Sequence, residues 1–453
     1  MSKIYVGTGK ADITPPVGVE LTGYVARTSP SVGIRDRLYA RAFVVKDSEG
    51  GTAGLLICDL LGLDLKKMKV KRMAEELLGI PEDALIIACT HTHSGPATSL
   101  SLRMCGEPNK EWLSQLDGLL IQALSSALSS LSPCRIGFSR GETHIGINRR
   151  RRLEDGRVVI GPNPEGPVDR ELLLLCAEDE KRIAVLMNHG CHPVVFGSDN
   201  LLISADYPGY AVSILEERIR ERKGKEAFCA FANGACGDVN PRTRGGEDEL
   251  REIGEELAGD AERLINGEME FLEEGKVKAG IRRLSLRCSP LPPKEEIEGL
   301  LSEAMERESS AKERGDEVAL RVAKAEEMWA RDMLKAREDG IETPEIEAEI
   351  GAIAIGPIVL VGIPGELFCE LGMMVKGRAK AKLTMVIGYA NGDIGYIPTS
   401  SSYRIGGYEV EESYKYYGLS QIAPGEGERM MEVAISLANE LLSINDHHNP
   451  TPL

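Results

Sequence analysis

Long hydrophobic runs are missing from this 453-residue chain: none approaches the roughly 18 apolar residues needed to cross a bilayer, so no membrane span is expected. The opening Met1-Ser2-Lys3-Ile4-Tyr5-Val6-Gly7 also lacks the apolar core of a secretory leader. None of the ten cysteines stands in a Cys-x-x-Cys pair, which argues against a thiolate zinc knuckle. Several lie inside apolar runs, where a free thiol behaves as a small hydrophobe, and the pattern predicts a reduced, cytoplasmic setting. Positive charge is in short supply. Lys+Arg 54 against Asp+Glu 71 leaves a net charge of −17, which repels phosphate backbones and argues against nucleic acid as a partner. The basic run Arg149-Arg150-Arg151-Arg152, after Asn148, reads mostly as a solvated turn, with room for a local cationic pocket. No internal repeat or long low-complexity linker interrupts a composition ordinary for a globular protein.

Histidine is scarce as well, with seven in the chain, and its placement is the most informative feature. Thr90-His91-Thr92-His93-Ser94-Gly95-Pro96 follows the apolar run Ala84-Leu85-Ile86-Ile87-Ala88, which reads as a buried strand ending in a Gly-Pro turn. Side chains two apart in an extended segment share a side, so His91 and His93 are expected to address one site. A second pair, His189 and His192, follows the apolar run Ile183-Ala184-Val185-Leu186-Met187. Imidazole is the commonest metal ligand and the group best suited to move protons near neutral pH.

Aliphatic segments alternate with helical periodicity along most of the length. Residues 40–46 and 52–59 read as a hairpin, 65–78, 111–131, 207–222 and 248–265 as helices, and 227–231, 352–361 and 384–389 as strands. The pattern predicts an α/β class, a mixed β-sheet core flanked by helices, in one compact domain over 1–453. Residues 294–340, rich in Glu, Lys, Arg and Ala, stand apart as an inserted helical hairpin. Its apolar stripe, including Ile297, Leu300, Leu301, Met305, Val322, Ala325 and Trp329, is expected to pack on the body; covering the site or contacting another subunit are the alternatives. A final helix is expected from about residue 427 to 444.

Several strands end in Gly- or Pro-containing turns with polar residues: those of His91 and His93, of His192, of Gly237-Asp238-Val239-Asn240, of Glu366 and of Tyr396. Sites in α/β sheets form beyond the carboxyl ends of strands, and two imidazoles with one carboxylate make up many catalytic zinc centres. Strand-end histidines also serve as hydrogen-bonded structural groups, so residue type alone leaves both readings open.

Gly9-Lys10-Ala11-Asp12-Ile13-Thr14, Tyr39-Ala40-Arg41-Ala42-Phe43, the 90–96 stretch, His192 with Ala205-Asp206-Tyr207-Pro208-Gly209-Tyr210, Pro364-Gly365-Glu366 and Gly395-Tyr396-Ile397-Pro398-Thr399 together carry a resemblance. Over nearly its whole length the chain resembles the N-terminal catalytic domain of the neutral (non-lysosomal) ceramidase family. The resemblance implies Zn2+ held by His91, His192, Glu366 and Tyr396. It places His93 beside the metal, to bond an oxyanion or move a proton, Arg149 near the substrate and Tyr408 as a second catalytic group. His189 falls at a non-ligand position, and His144, His447 and His448 stand in no motif. Where the family's Gly-Asp-x-Ser-Pro turn carries a serine, this chain has Asn240, whose amide suits substrate binding rather than nucleophilic attack. The family's C-terminal immunoglobulin-like domain and its export signal are not expected here.

The expectation is a zinc-dependent hydrolase of a small molecule with an amide or ester-like carbonyl, other than ceramide, attacked by metal-activated water. A lactonase or esterase on a polar metabolite and a non-catalytic metal-dependent binding protein are the alternatives. A homo-oligomer is compatible with the sequence.

Overall fold

The computed structural model describes residues 2–99 and 105–443, so the end of the last predicted helix and the tail with His447 and His448 lie outside the described residues. Three β-sheets carry the fold. The first has the order Leu85–Cys89, Thr52–Cys58, Tyr39–Asp47, Ile4–Asp12, Ser132–Pro133. The second has Glu226–Asn233, Arg182–His189, Glu171–Glu178, Arg135–Glu142, Glu270–Leu272. The third has Val277–Arg287, Glu345–Ile355, Ile358–Gly362, Leu383–Ile387. The α/β class holds, but the mixed core is three sheets, because their apolar inner faces pack on one another. A single buried cluster takes Ile57 and Ile86 from the first, Phe138 and Leu186 from the second, and Ile353 and Leu360 from the third.

Helices cover the outer faces. Lys110–Ser129 lies on the first sheet, so close to Ile4–Asp12 that a Cβ on Gly7 would stand 1.9 Å from the Ala127 carbonyl oxygen. Asp206–Lys223 and Glu247–Asn266 cover the second sheet and Glu426–Ser443 the third.

Each sheet contains one parallel pair: Thr52–Cys58 with Leu85–Cys89, Arg182–His189 with Glu226–Asn233, and Ile358–Gly362 with Leu383–Ile387. Strands buried on both faces read as unbroken apolar runs, which is why these were visible in the sequence. Buried amides lock the carboxyl ends of the pairs together. Asn188 Nδ2 donates to Ala232 O and Val386 O, both at 2.9 Å, and Asn233 Nδ2 donates to Thr90 O at 3.0 Å. The Gly388 amide donates to Asn233 O at 2.9 Å. Loops from all three sheets therefore open onto one place.

The helical hairpin consists of Lys294–Arg314 and Glu317–Glu338, joined at Gly315, whose φ of 65° suits glycine. It packs on the body through Trp329, whose Nε1 donates to Leu419 O at 2.9 Å, while Met305 is 47% exposed rather than part of the packed stripe. Three other expectations need correction. The helix expected from residue 65 begins at Val70, because Asp64 O accepts from Lys67 N at 3.0 Å and closes a turn first. The basic run is not a turn but the strand Gly146–Arg152, with Arg149 buried and Arg151 and Arg152 exposed. His91 and His93 do not share a side by strand alternation, since the chain leaves the extended conformation at His91, with φ 69°.

Candidate metal centre

The left-handed turn at His91 swings its ring back beneath the strand ends, where it stacks on Tyr389 with ring centroids 3.8 Å apart. Tyr389 is itself left-handed, with φ 51°. Two non-glycine residues in this conformation, facing each other, mark strain held in place by the surrounding packing. The His91 and His93 rings still meet, edge to face at 4.9 Å, and His192 lies 5.1 Å from His91 and 5.8 Å from His93. One ring nitrogen from each of the three lies within 4.8 Å of the others.

Tautomers follow from the partners. His91 Nδ1 faces Leu61 O at 2.7 Å, His93 Nδ1 faces Gly23 O at 3.0 Å, and His192 Nδ1 faces Cys236 O at 2.6 Å. A carbonyl oxygen only accepts, so each Nδ1 carries a proton and Nε2 is the ring nitrogen left for the cluster. Gly23 permits the His93 contact, since a Cβ there would stand 2.5 Å from its Nδ1. Burial, and then the neighbouring His91, pushes the His93 pKa well below its ordinary value. Burial, and then Arg149, pushes that of His192 down to about 4. Both rings are thus neutral at neutral pH.

Glu366 completes the cluster from the strand Glu366–Leu367, 1% exposed. Its Oε2 lies 3.0 Å from His192 Nε2 and 3.4 Å from His91 Nε2, while Oε1 accepts a hydrogen bond from the Tyr417 hydroxyl. His93 Nε2 is buried with no partner among the described residues. The approaching donor is Arg149 Nη1, 3.2 Å from His192 Nε2 and 3.4 Å from its Nδ1, hence over the ring rather than along one lone pair. A carboxylate and imidazole lone pairs converging out of water repel one another unless a cation stands among them. The donor set, nitrogen and oxygen with backbone carbonyls fixing each ring, fits Zn2+.

A second buried carboxylate stands behind this cluster. Glu409 accepts from Arg149 Nε at 3.0 Å and from Arg150 Nη1 at 2.5 Å. The remaining Arg149 nitrogens reach Tyr396 Oη at 2.8 Å and Asn240 Oδ1 at 3.4 Å, so its guanidinium is engaged by protein. Tyr396 pairs with Glu366 across parallel strands, which sets the two side by side. Asp238 ties the neighbouring loops: Oδ1 accepts from Cys369 N at 2.8 Å and Oδ2 from Asn148 Nδ2 at 3.2 Å.

His91, His93 and Glu366 line a cavity of about 360 Å³ together with Arg149, Asn240, Tyr396 and Tyr408, and His192 stands behind this lining against Glu366. The expected site residues thus come together at one place, with Glu366 and His91 on the same wall. His189 does not join them; its Nδ1 faces Glu171 O at 3.0 Å. Sequence reasoning missed Tyr389, Tyr417, Glu409 and Tyr24. Tyr389 ends an expected strand and Glu409 adjoins Tyr408, so both were within reach of the pattern, whereas nothing around Tyr417 or Tyr24 marks them.

Residues 4–257 match the family model described as neutral/alkaline non-lysosomal ceramidase, N-terminal. Among curated relatives, neutral ceramidase A of Dictyostelium discoideum is 32% identical over 269 residues, covering 54% of this chain and 37% of the relative. Neutral ceramidase of Drosophila melanogaster is 30% identical over 260 residues, covering 53% and 36%. The alignments thus span little more than a third of those relatives' length. The crystal structure of neutral ceramidase from Pseudomonas aeruginosa superposes with a TM-score of 0.72 over 98% of this chain and 75% of that one, at 20% identity, a likeness of fold.

Proposed function

From the premise that this chain belongs to the neutral/alkaline non-lysosomal ceramidase family, we propose that it is a zinc-dependent hydrolase of a small molecule with an amide or ester-like carbonyl. The observation that carries this reading is the clustering of one ring nitrogen each from His91, His93 and His192, with Glu366 Oε2 against the Nε2 atoms of His91 and His192 and every Nδ1 already spent on a backbone carbonyl. His91, His192 and Glu366 would hold the ion, with Tyr396 beside Glu366 as the fourth donor. When bound, zinc supplies Lewis-acid polarisation of the scissile carbonyl and of the attacking water.

The chain's own groups divide the remaining work. His93 keeps its proton on Nδ1, so Nε2 is a base; it takes a proton from the attacking water and returns it to the leaving group. The Tyr408 hydroxyl, which burial keeps protonated and which has no protein partner among the described residues, donates to the developing oxyanion. Arg149, paired with Glu409, orients Tyr396 rather than gripping substrate. Asn240, its Oδ1 turned to Arg149, offers its amide N–H groups to the substrate. Ceramide is not proposed as the substrate, and the ten unpaired cysteines agree with a cytoplasmic setting.

The test is a chelated, zinc-free preparation assayed on matched amide and ester substrates, then reloaded with one equivalent of zinc. Activity lost on chelation and restored by zinc is the expected result; full activity without metal contradicts it.

A further inference from the structure

Arg244 lines the same cavity and differs from the arginines around it. Its neighbour Arg242 pairs with Glu252 at 2.6 Å and Glu256 at 2.7 Å, Arg35 pairs with Glu247 at 2.7 Å, and Arg149 and Arg150 share Glu409. Arg244 instead donates Nε to Val194 O at 2.7 Å and Nη2 to the Tyr24 hydroxyl at 3.1 Å. Among the described residues it has no carboxylate partner, in a chain with 17 more acids than bases. Arg244 is exposed, and these two anchors orient its guanidinium while leaving donors unspent for a ligand.

The guanidinium is one tyrosine away from the metal cluster. The Tyr24 ring lies 5.0 Å from the His93 ring, and its hydroxyl is held by donation to Phe196 O at 2.8 Å. A second arginine without a paired carboxylate among the described residues stands behind it. Arg27, 2% exposed, lies 5.0 Å over the Tyr24 ring and spends its donors on Thr22 O, His93 O and Gly197 O. The exposed Glu412 lines the cavity too, but pairs with neither arginine. Two arginines without a paired carboxylate among the described residues make this end of the cavity attractive to anions, and a guanidinium fork matches a carboxylate.

We infer that one half of the substrate carries a carboxylate, seated on Arg244 with Tyr24 as its support, so that the hydrolysed class is an N-acyl amino acid or a compound with the same spacing of amide and anion. This rests on the hydrolase reading above and adds the anion subsite to it.

The test compares N-acetylglycine with its uncharged amide, N-acetylglycinamide, on zinc-loaded wild type, Arg244→Gln and Arg244→Lys, by calorimetric binding and by hydrolysis. Expected is tighter binding of the anion by wild type, a preference that drops about 10- to 100-fold in Arg244→Gln and is partly kept in Arg244→Lys. Equal affinity of wild type for the two compounds, or an equal loss of both on Arg244→Gln, overturns the subsite. If the anion is preferred yet neither compound nor longer N-acyl analogues are cleaved, the hydrolase reading falls and the subsite stands.

Discussion

Glu366 and Glu409 are buried almost equally, at 1% and 4% exposed, yet they stand in opposite surroundings. Glu409 is neutralised by two arginines within 3.0 Å. Glu366 meets the Nε2 atoms of two imidazoles and the hydroxyls of Tyr417 and Tyr389, with no lysine or arginine paired to it among the described residues. A buried carboxylate needs a counter-charge. In one case the chain supplies it; in the other it supplies, with the neighbouring imidazoles, a cluster that could hold a metal ion. The pair separates structural from functional burial of the same residue type.

Breaking the Glu366 side has the largest expected effect. His192→Ala and Glu366→Gln each abolish zinc retention and turnover, read by elemental analysis and assay. In metal-free protein Glu366→Gln lowers the melting temperature less than Glu409→Gln does, since it strands no buried lysine or arginine. A marked loss of apo stability would put Glu366 in the same class as Glu409. Breaking the Glu409 side should behave in reverse. Glu409→Gln strands two buried arginines and costs about 3–5 kcal/mol of stability, measured by denaturant unfolding. Zinc binding by the folded fraction persists.

Tyr417→Phe sharpens the comparison from outside the ligand set. Loss of its hydrogen bond to Glu366 should weaken zinc affinity about 10- to 100-fold, by competition with a chromogenic chelator, with little change in fold. The smallest effect concerns a third kind of buried carboxyl. Asp206 has neither metal nor arginine and accepts from the amides of Val195, Phe196 and Tyr207. Burial raises its pKa to about 6, against partial offset by those amides. Its native state binds the proton more tightly than the unfolded chain, so its contribution is fully present below about pH 4 and is lost as pH rises through about 6. Asp206→Asn should flatten that part of the stability profile, read as the urea midpoint at pH 4 and pH 7.

The strand ends were legible because parallel strands buried on both faces leave unbroken apolar runs, as at Leu85–Cys89 and Ile358–Gly362. Each of the six strands in the parallel pairs ends within two residues of the end expected from its apolar run. The conformation at His91 was not legible: a left-handed turn needs no glycine when a ring stack and a hydrogen bond to Leu61 O hold it. Nor was the inward turn of Arg149 and Arg150, because their partner Glu409 lies about 260 residues away. Tyr417 reaches Glu366 from a short helical loop braced by the hairpin residue Trp329, a tertiary arrangement that no local pattern encodes.

The central claim is that a divalent cation belongs among His91, His192 and Glu366. Anomalous diffraction across the zinc absorption edge, on crystals of zinc-loaded protein, tests it most directly. One strong peak bounded by His91 Nε2, His192 Nε2 and the Glu366 carboxylate is the expected result. A fully loaded crystal with no peak there, or with its peak elsewhere, would contradict it.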